Sequence, residues 1–394
     1  MLPSYIEQEL AAKQAQYAYR QKNTVTTDQQ FIVHNQQKYL NFSGNDYLGI
    51  AASGCLQSAW MNALETNLSG STGSPLINGH HAAHQALEDE ICDWLGFDAC
   101  LLFNSGFSAN SSVLKTLLKE QNQLIIQDKL NHASLIDGGL QSAAKNLRFK
   151  HNDIEHLQQR LQTPADYKLV VTEGVFSMDG DGAPLQPICQ LIAEQDNTGL
   201  MLDDAHGIGV FGEQGQGSLA KQNISANNID IFTATFGKAI GTSGAFVAGS
   251  KQLIDYLVNE ARAYIFSTSF SPILAEVTRQ AIIKIRRENW RREKLEQNVV
   301  YFVDGVNKLG ISLSCGGSVS AIKPVVIGSN EDTLKLAKIL RKQGIWATAI
   351  RPPTVPKGQA RIRFTINSLH DIADIDQAIQ ALEIGLLTLS TSQS

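Results

Sequence analysis

Lys238 stands in TATFGKAIGTSG, directly after an apolar run and inside a glycine-rich turn. Lysine is almost never fully buried without a partner, so taken alone this one reads as an exposed loop residue. A desolvated amine at the same place has a lowered pKa and forms Schiff bases with carbonyl compounds. Asp203 gives the second reading its weight. It stands near the end of the run GLMLDD, one strand-and-loop interval upstream, which brings both residues to the same edge of a parallel sheet, where ligands of open α/β sheets bind. A cofactor with a pyridine ring needs both groups: a lysine on its aldehyde carbon and a carboxylate at its ring nitrogen. At about 4 Å and an effective dielectric of ~20 that charge pair gains about 4 kcal/mol before desolvation, enough to keep the nitrogen protonated. Asp204 competes for the role, because neighbours on a strand face opposite sides and only one of the two reaches the ring.

Other side chains fit the same ligand. His132, in QDKLNHASLIDGG, is either a loop histidine capping the next helix or an aromatic plate on a flat cofactor. His206, in DDAHG, is placed to bond a phenolic oxygen of the ring. A phosphate needs free N–H groups at a helix start, and Gly106 and Phe107 in NSGFSANSSVLKTLL supply them directly after the run ACLLF. Thr235 and Ser177 add hydroxyls. Each is weak evidence; together they describe pyridoxal 5′-phosphate.

The elements that position these residues are legible in outline. Residues from about 4 to 22 read as an amphipathic helix, followed by a strand pair, FIVH and KYLNF. The runs ACLLF (99–103), QLIIQ (123–127), KLVVTEG (168–174), GLMLDD (199–204), IDIFTATF (229–236) and GAFVAG (244–249) lack polar alternation. Strands buried on both faces and separated by helical stretches imply a mostly parallel sheet covered on both sides. One long helix is expected from Pro272 to Lys308, with Gly310 beyond its end. A second α/β pattern closes the chain: AIKPVVIG, the helix EDTLKLAKILRKQG, the strands IWATAI and ARIRFTIN, and a last helix carrying Ile372, Ile375, Ile379 and Leu382. The division expected is an N-terminal segment 1–48, a large domain 49–285 and a small domain 286–394.

The motifs SGNDYLG, HQALEDEI, FNSGFSAN, NHASL, VVTEGVFSMDGD, LDDAHGIGVFGEQGQG, TFGKAIGTSGA, IFSTS and AIRPPTVP, spread over nearly the whole chain, resemble the α-oxoamine synthase family. AIRPPTVP and SMDGDGAPL look most like its biotin-pathway branch. The resemblance implies a fold-type I, pyridoxal-phosphate-dependent acyltransferase: a large domain with a mostly parallel sheet and a small C-terminal α/β domain. It implies decarboxylative condensation of L-alanine with a pimeloyl thioester, carried on coenzyme A or acyl carrier protein. By matching motif, Lys238 binds the cofactor covalently and acts as base, Asp203 pairs with the ring nitrogen, and His132 stacks on the ring and helps place substrate. His206 and Ser177 lie by the phenolic oxygen, and Gly106, Phe107 and Thr235 lie about the phosphate. Arg351 holds the amino-acid carboxylate, Arg20 and Thr354 meet the acyl substrate, and Asn45 neighbours it. A homodimer is implied, with the site completed across the interface through Ser267 and Thr268. Glycine with acetyl-coenzyme A is the alternative substrate pair, and a non-catalytic partner subunit of the same fold the alternative role. Pro75 departs from the arginine many relatives carry there.

Composition excludes other classes. Of 394 residues, 43% are hydrophobic and 18% charged, which is ordinary for a soluble globular protein, and a net charge of −5 supplies no field for nucleic acid or an anionic membrane. No apolar run approaches the ~18 residues a membrane span needs. Cys55, Cys92, Cys100, Cys189 and Cys315 contain no C-x-x-C pair, which suggests reduced thiols in the cytosol. GIGVFG (207–212) fits a dinucleotide fingerprint but follows DDAH and runs into poor helix sequence. His80, His81 and His84 precede an ordinary helix rather than forming a metal motif, and no metal is expected. IRRENWRREKLE reads as a solvated helix face.

Overall fold

The computed structural model describes residues 2–313 and 320–391; Cys315 lies outside them. The chain divides into two compact units. The larger holds residues 54–177 and 182–292; the smaller holds residues 1–53, 178–181 and 293–394.

In the larger unit seven strands form one sheet, in the order Ala99–Phe103, Ala245–Gly249, Ile231–Thr235, Thr198–Asp203, Tyr167–Glu173, Gln123–Asp128, Lys145–Phe149. Only Ala245–Gly249 runs against the rest. The side chains of Leu101, Ile125, Leu169, Val171, Met201 and Val247 pack on one face with Leu114, Leu135 and Leu257 from the helices Gly106–Leu117, Ala133–Gln141 and Lys251–Glu260. Leu102, Ile126, Val170, Leu202 and Phe232 are buried on the other face, where the helices Ala82–Leu95, Ile154–Leu161 and Leu185–Ala193 meet the strands. Burying both faces explains why these strands read as unbroken apolar runs, each such side chain contributing about 1.5–3 kcal/mol.

In the smaller unit the strands Thr26–Asp28, Phe31–His34 and Gln37–Asn41 form a sheet that ends in a parallel pairing with Ile345–Trp346. The 1–48 segment therefore does not stand apart: strand pairing joins it to the C-terminal part. A second sheet contains Ile322–Gly328, Ala360–Thr365 and Thr348–Ile350, so IWATAI is two strands in two sheets. Phe42, Phe302 and Phe364 are fully buried, with ring centroids 6.0 Å (Phe42–Phe364) and 5.2 Å (Phe302–Phe364) apart.

Three further expectations need correction. The first helix is Tyr5–Ala15 and none of its residues is buried, so it is not an amphipathic core helix. Lys145–Phe149 is an additional strand; as an edge strand it has one neighbour and a half-exposed face, and so lacks the apolar signature. The long helix is two, Pro272–Arg287 and Asn289–Lys308, broken at Glu288. Arg292 Nη1 donates 2.6 Å to the Ile285 carbonyl, satisfying an acceptor freed at the first helix's end. Arginines of this stretch are paired: Arg286 with Glu90 at 2.6 Å and Asp93 at 2.8 Å on the Ala82–Leu95 helix, and Arg291 with Glu288 at 2.6 Å within the stretch.

Candidate active site

Four of the parallel strands end on a polar residue at their carboxyl ends: Asp128, Glu173, Asp203 and Thr235. Register places Glu173 beside Asp203 and Asp203 beside Thr233. Alternation turns Asp203 toward the Gly106–Leu117 helix and Asp204 the opposite way. Asp204 is fully buried and accepts from the Ser218 hydroxyl at 2.6 Å and its N–H at 2.8 Å; burial pushes its carboxyl up to about 7, against those hydrogen bonds. Ser218 thus holds Asp204 away from the face on which Asp203 meets the Gly106–Leu117 helix.

A cavity of about 180 Å³ opens here, lined by Gly106, Phe107, His132, Asp203, His206, Thr235 and Lys238 together with Asn110, Ser134, Glu173 and Thr233. The structure thus collects every residue expected from sequence to hold the cofactor except Ser177, which lies half-buried in a turn after the Tyr167–Glu173 strand. Asp203 accepts from Asn110 Nδ2 at 2.6 Å and from the Ala205 N–H at 2.9 Å. Lys238 Nζ and His206 Nε2 are 2.8 Å apart. His132 caps the Ala133–Gln141 helix, and its N–H donates to Glu173 Oε1. Burial holds the His132 imidazole below its usual range; Asp203 opposes this and Lys238 reinforces it. Burial, with Asp203 alongside, pushes Glu173 well above the usual carboxyl range.

Ser105 caps the Gly106–Leu117 helix by accepting from the Ser108 N–H at 3.2 Å. The Gly106 and Phe107 N–H groups have no acceptor within the helix, because their positions precede the first full turn. Thr235 donates to the Gly244 carbonyl at 2.9 Å. A Cβ at Gly106 would meet Thr235 at 3.7 Å. A carboxylate, an amine, an imidazole and a helix N-terminus around one cavity are the donor set a phosphorylated pyridine aldehyde requires.

In the smaller unit Arg20 Nη2 donates 3.0 Å to the Thr354 hydroxyl, and Arg351 Nη1 donates to the Tyr17 carbonyl. Arg20 lies close enough to Arg351 to disfavour its charge, after burial. Asn45 Oδ1 accepts from Tyr47 at 3.2 Å and from Arg363 Nη2 at 3.1 Å. Arg363 escaped the sequence reading; its Nε is buried and has no hydrogen-bond partner. Asn110, Ser134, Glu173 and Thr233 escaped too, since single polar residues within buried runs carry no motif.

The discounted signals have structural work. His81 and His84 cap the Ala82–Leu95 helix reciprocally, and His84 Nε2 lies 2.9 Å from the Phe270 carbonyl. Ser267, Thr268, Pro75 and Glu88 line a separate small pocket with His80 and His84. GIGVFG runs as turns in which the N–H groups of Gly207 and Ile208 donate to the Asp204 carbonyl at 3.1 and 2.9 Å. Among the described residues no cluster of three or more His, Cys, Asp or Glu is arranged to hold a metal, and no helix is long and apolar enough to cross a membrane.

A lysine and a carboxylate converging on the carboxyl edge of a mostly parallel sheet, at a helix N-terminus, define a pyridoxal-phosphate-dependent transferase. Residues 37–382 match the family model of aminotransferase class I and II. The chain is 43% identical over 377 residues to 8-amino-7-oxononanoate synthase of Hydrogenovibrio crunogenus, covering 95% of this chain and 94% of that one. It is 45% identical over 385 residues to the synthase of the same name from Vibrio parahaemolyticus, covering 97% and 98%. The solved structure of Sphingomonas wittichii serine palmitoyltransferase superposes with a TM-score of 0.92 at 28% identity, covering 99% of each chain. The chain belongs to the aminotransferase class I and II family and, within it, to the 8-amino-7-oxononanoate synthases.

Proposed function

We propose that the chain catalyses the decarboxylative condensation of L-alanine with a pimeloyl thioester, giving 8-amino-7-oxononanoate, carbon dioxide and the free thiol carrier, a step of biotin biosynthesis. The observation that carries the reading is the cavity in which Lys238, His206, Asp203 and His132 meet, in a chain 43% identical to a synthase of that name over 95% of its length.

Bound there, pyridoxal 5′-phosphate supplies an electron sink for negative charge at the α-carbon of the amino acid. Asp203 is the carboxylate for its ring nitrogen, held in place by Asn110 and Ala205. The N–H groups of Gly106 and Phe107 would take the phosphate, with Thr235, whose hydroxyl is held on the Gly244 carbonyl, beside them, and His132 would lie against the ring. Lys238 Nζ carries the cofactor at rest and takes the α-proton of alanine once displaced, with His206 Nε2 beside it as proton partner. The α-carbon displaces the thiol from the acyl carbonyl, and once carbon dioxide has left, Nζ gives its proton back to that carbon. Arg363, which donates to Asn45 at 3.1 Å and whose Nε has no hydrogen-bond partner, is proposed for the amino-acid carboxylate, the role that the family resemblance gives Arg351. Arg20, Arg351 and Thr354 receive the acyl substrate.

The enzyme works as a homodimer in the cytosol, where its cysteines stay reduced. Exposed Trp60, Met61, Leu64, Leu68, Leu76 and Ile77 offer the second copy an apolar surface. Sedimentation velocity tests the dimer.

The deciding assay is thiol release by the cofactor-loaded protein. L-Alanine with pimeloyl-coenzyme A should release thiol at a rate far above glycine with acetyl-coenzyme A or L-serine with palmitoyl-coenzyme A. Release with either of the other pairs alone refutes the substrate assignment. Pimeloyl-acyl carrier protein run beside pimeloyl-coenzyme A decides the carrier.

A further inference from the structure

Five polar side chains beside the cavity form one hydrogen-bonded series. Asn110 is buried, 2% exposed. Its Nδ2 lies 2.6 Å from Asp203 Oδ2 and 3.0 Å from Ser134 Oγ, and its Oδ1 lies 2.8 Å from the Thr233 hydroxyl. Chemistry sets the direction of each bond. A carboxylate oxygen only accepts, so the amide NH₂ faces Asp203 and the carbonyl is left for the Thr233 proton. Ser134 Oγ, already receiving an N–H from Asn110, turns its own proton to His132 Nδ1 at 2.8 Å. The Ser134 backbone N–H, which can only donate, points at the same nitrogen from 3.3 Å. Nδ1 is therefore an acceptor, and the single imidazole proton sits on Nε2. A doubly protonated ring would set an Nδ1–H against the Ser134 N–H.

We propose that Asn110 is a positioning residue that, through Ser134, holds His132 as the neutral Nε2–H tautomer and ties its orientation to the carboxylate of Asp203. The functional meaning rests on the cavity being the cofactor site; the tautomer itself is a property of the protein alone. Burial favours the neutral ring, against Asp203 and Asp137 and with Lys238. An imidazole fixed in this way presents an N–H at Nε2. It can donate to an oxygen acceptor of the substrate, a carboxylate or a thioester carbonyl, and cannot itself take a proton from the α-carbon at Nε2. Proton removal is then left to Lys238.

The test is ¹⁵N NMR of histidine-labelled holoenzyme, with the His132 signals assigned by their loss in His132→Gln. An unprotonated Nδ1 and a protonated Nε2 at neutral pH are expected. A protonated Nδ1, alone or with Nε2, overturns the proposal. Asn110→Ala frees the Ser134 hydroxyl. It should bring in a resolved Nδ1–H population and lower kcat about tenfold, the order of losing one hydrogen bond to a charged group, while KM for alanine changes little. An unchanged tautomer in that variant overturns the role of Asn110. Should Asn110→Ala fail to fold, Ser134→Ala removes the relay hydroxyl and leaves Asn110 on Asp203; the same tautomer shift is expected, and its absence is equally decisive. Cofactor binding is read separately from visible absorbance. Wild-type protein that takes up no pyridoxal phosphate overturns the cofactor reading, while the tautomer spectrum still decides the hydrogen-bond assignment.

Discussion

The Nζ atom of Lys238 lies 2.8 Å from Nε2 of His206, within hydrogen-bond reach across 32 residues of chain. The amine that forms the covalent link thus has an imidazole as its proton partner. Lys238→Ala should still bind the cofactor, with borohydride no longer fixing it to the chain, and thiol release should fall by at least about 10²–10⁴-fold. His206→Ala should keep the link and lose about ten- to a hundredfold in kcat. Near-normal turnover of Lys238→Ala would contradict the assignment of the base.

Glu173 is buried against Asp203 and accepts the His132 N–H. Its carboxyl is raised above the ordinary value of 4.5 by burial and then by Asp203, so the folded chain holds this proton more tightly than the unfolded one. Stability tied to this group is present at low pH and is lost as pH rises above 4.5. Glu173→Gln mimics the neutral acid and keeps an acceptor for His132. It should retain activity within about threefold and flatten the alkaline loss of stability. Glu173→Ala removes the acceptor of the partly buried His132 backbone N–H and should cost about 1 kcal/mol in urea unfolding.

His370 gives the opposite pH dependence. Its ring is buried, stacks on Phe42 at a 4.1 Å centroid distance, and lies 3.1 Å from the Asn41 carbonyl through Nε2. Burial lowers its pKa from 6.5 to about 4. The unfolded chain therefore binds a proton the folded chain refuses, and stability present above pH 6.5 is lost as pH falls toward 4. The loss is about 3 kcal/mol over that window. His370→Gln should remove most of this slope; an unchanged slope between pH 4 and 6.5 would show the ring is not the titrating group.

The two arginines of the smaller unit separate by substrate. Arg363→Lys should raise KM for L-alanine about tenfold, because a lysine cannot reproduce a bidentate grip on a carboxylate. Arg351→Lys should act mainly on KM for the acyl thioester. The reverse pattern would return the carboxylate to Arg351.

What could be read from residues alone followed burial and motif. ACLLF, GLMLDD and GAFVAG announce themselves because both faces of those strands are covered. KNLRF, half-exposed at the sheet edge, does not. Lys238, Asp203 and His132 stand in recognisable surroundings. Asn110 sits in a serine- and asparagine-rich helix start, where nothing distinguishes the asparagine that reaches Asp203 from its neighbours. Arg363 lies in an apolar strand beside Arg361, which Asp179 holds at 2.6 Å; sequence does not say which of the pair is braced. The break at Glu288 is not legible because no Gly or Pro marks it; the contacts found there are Arg291 with Glu288, Arg292 with the Ile285 carbonyl and, across 79 residues, Arg292 with the Glu213 carbonyl.

The pairing of the Gln37–Asn41 strand with Ile345–Trp346 has a consequence for how the chain is made. Ser43 Oγ donates to the Trp346 carbonyl, 303 residues further along. Translation at about 5–20 residues per second separates the two by about 15–60 s. Through that interval the first strands have no permanent neighbour on that edge, while the residues of the larger sheet emerge together. The opening of the polypeptide is thus among the last parts to settle, and a ribosome stalled before codon 345 should hold a finished large sheet preceded by a protease-sensitive leader.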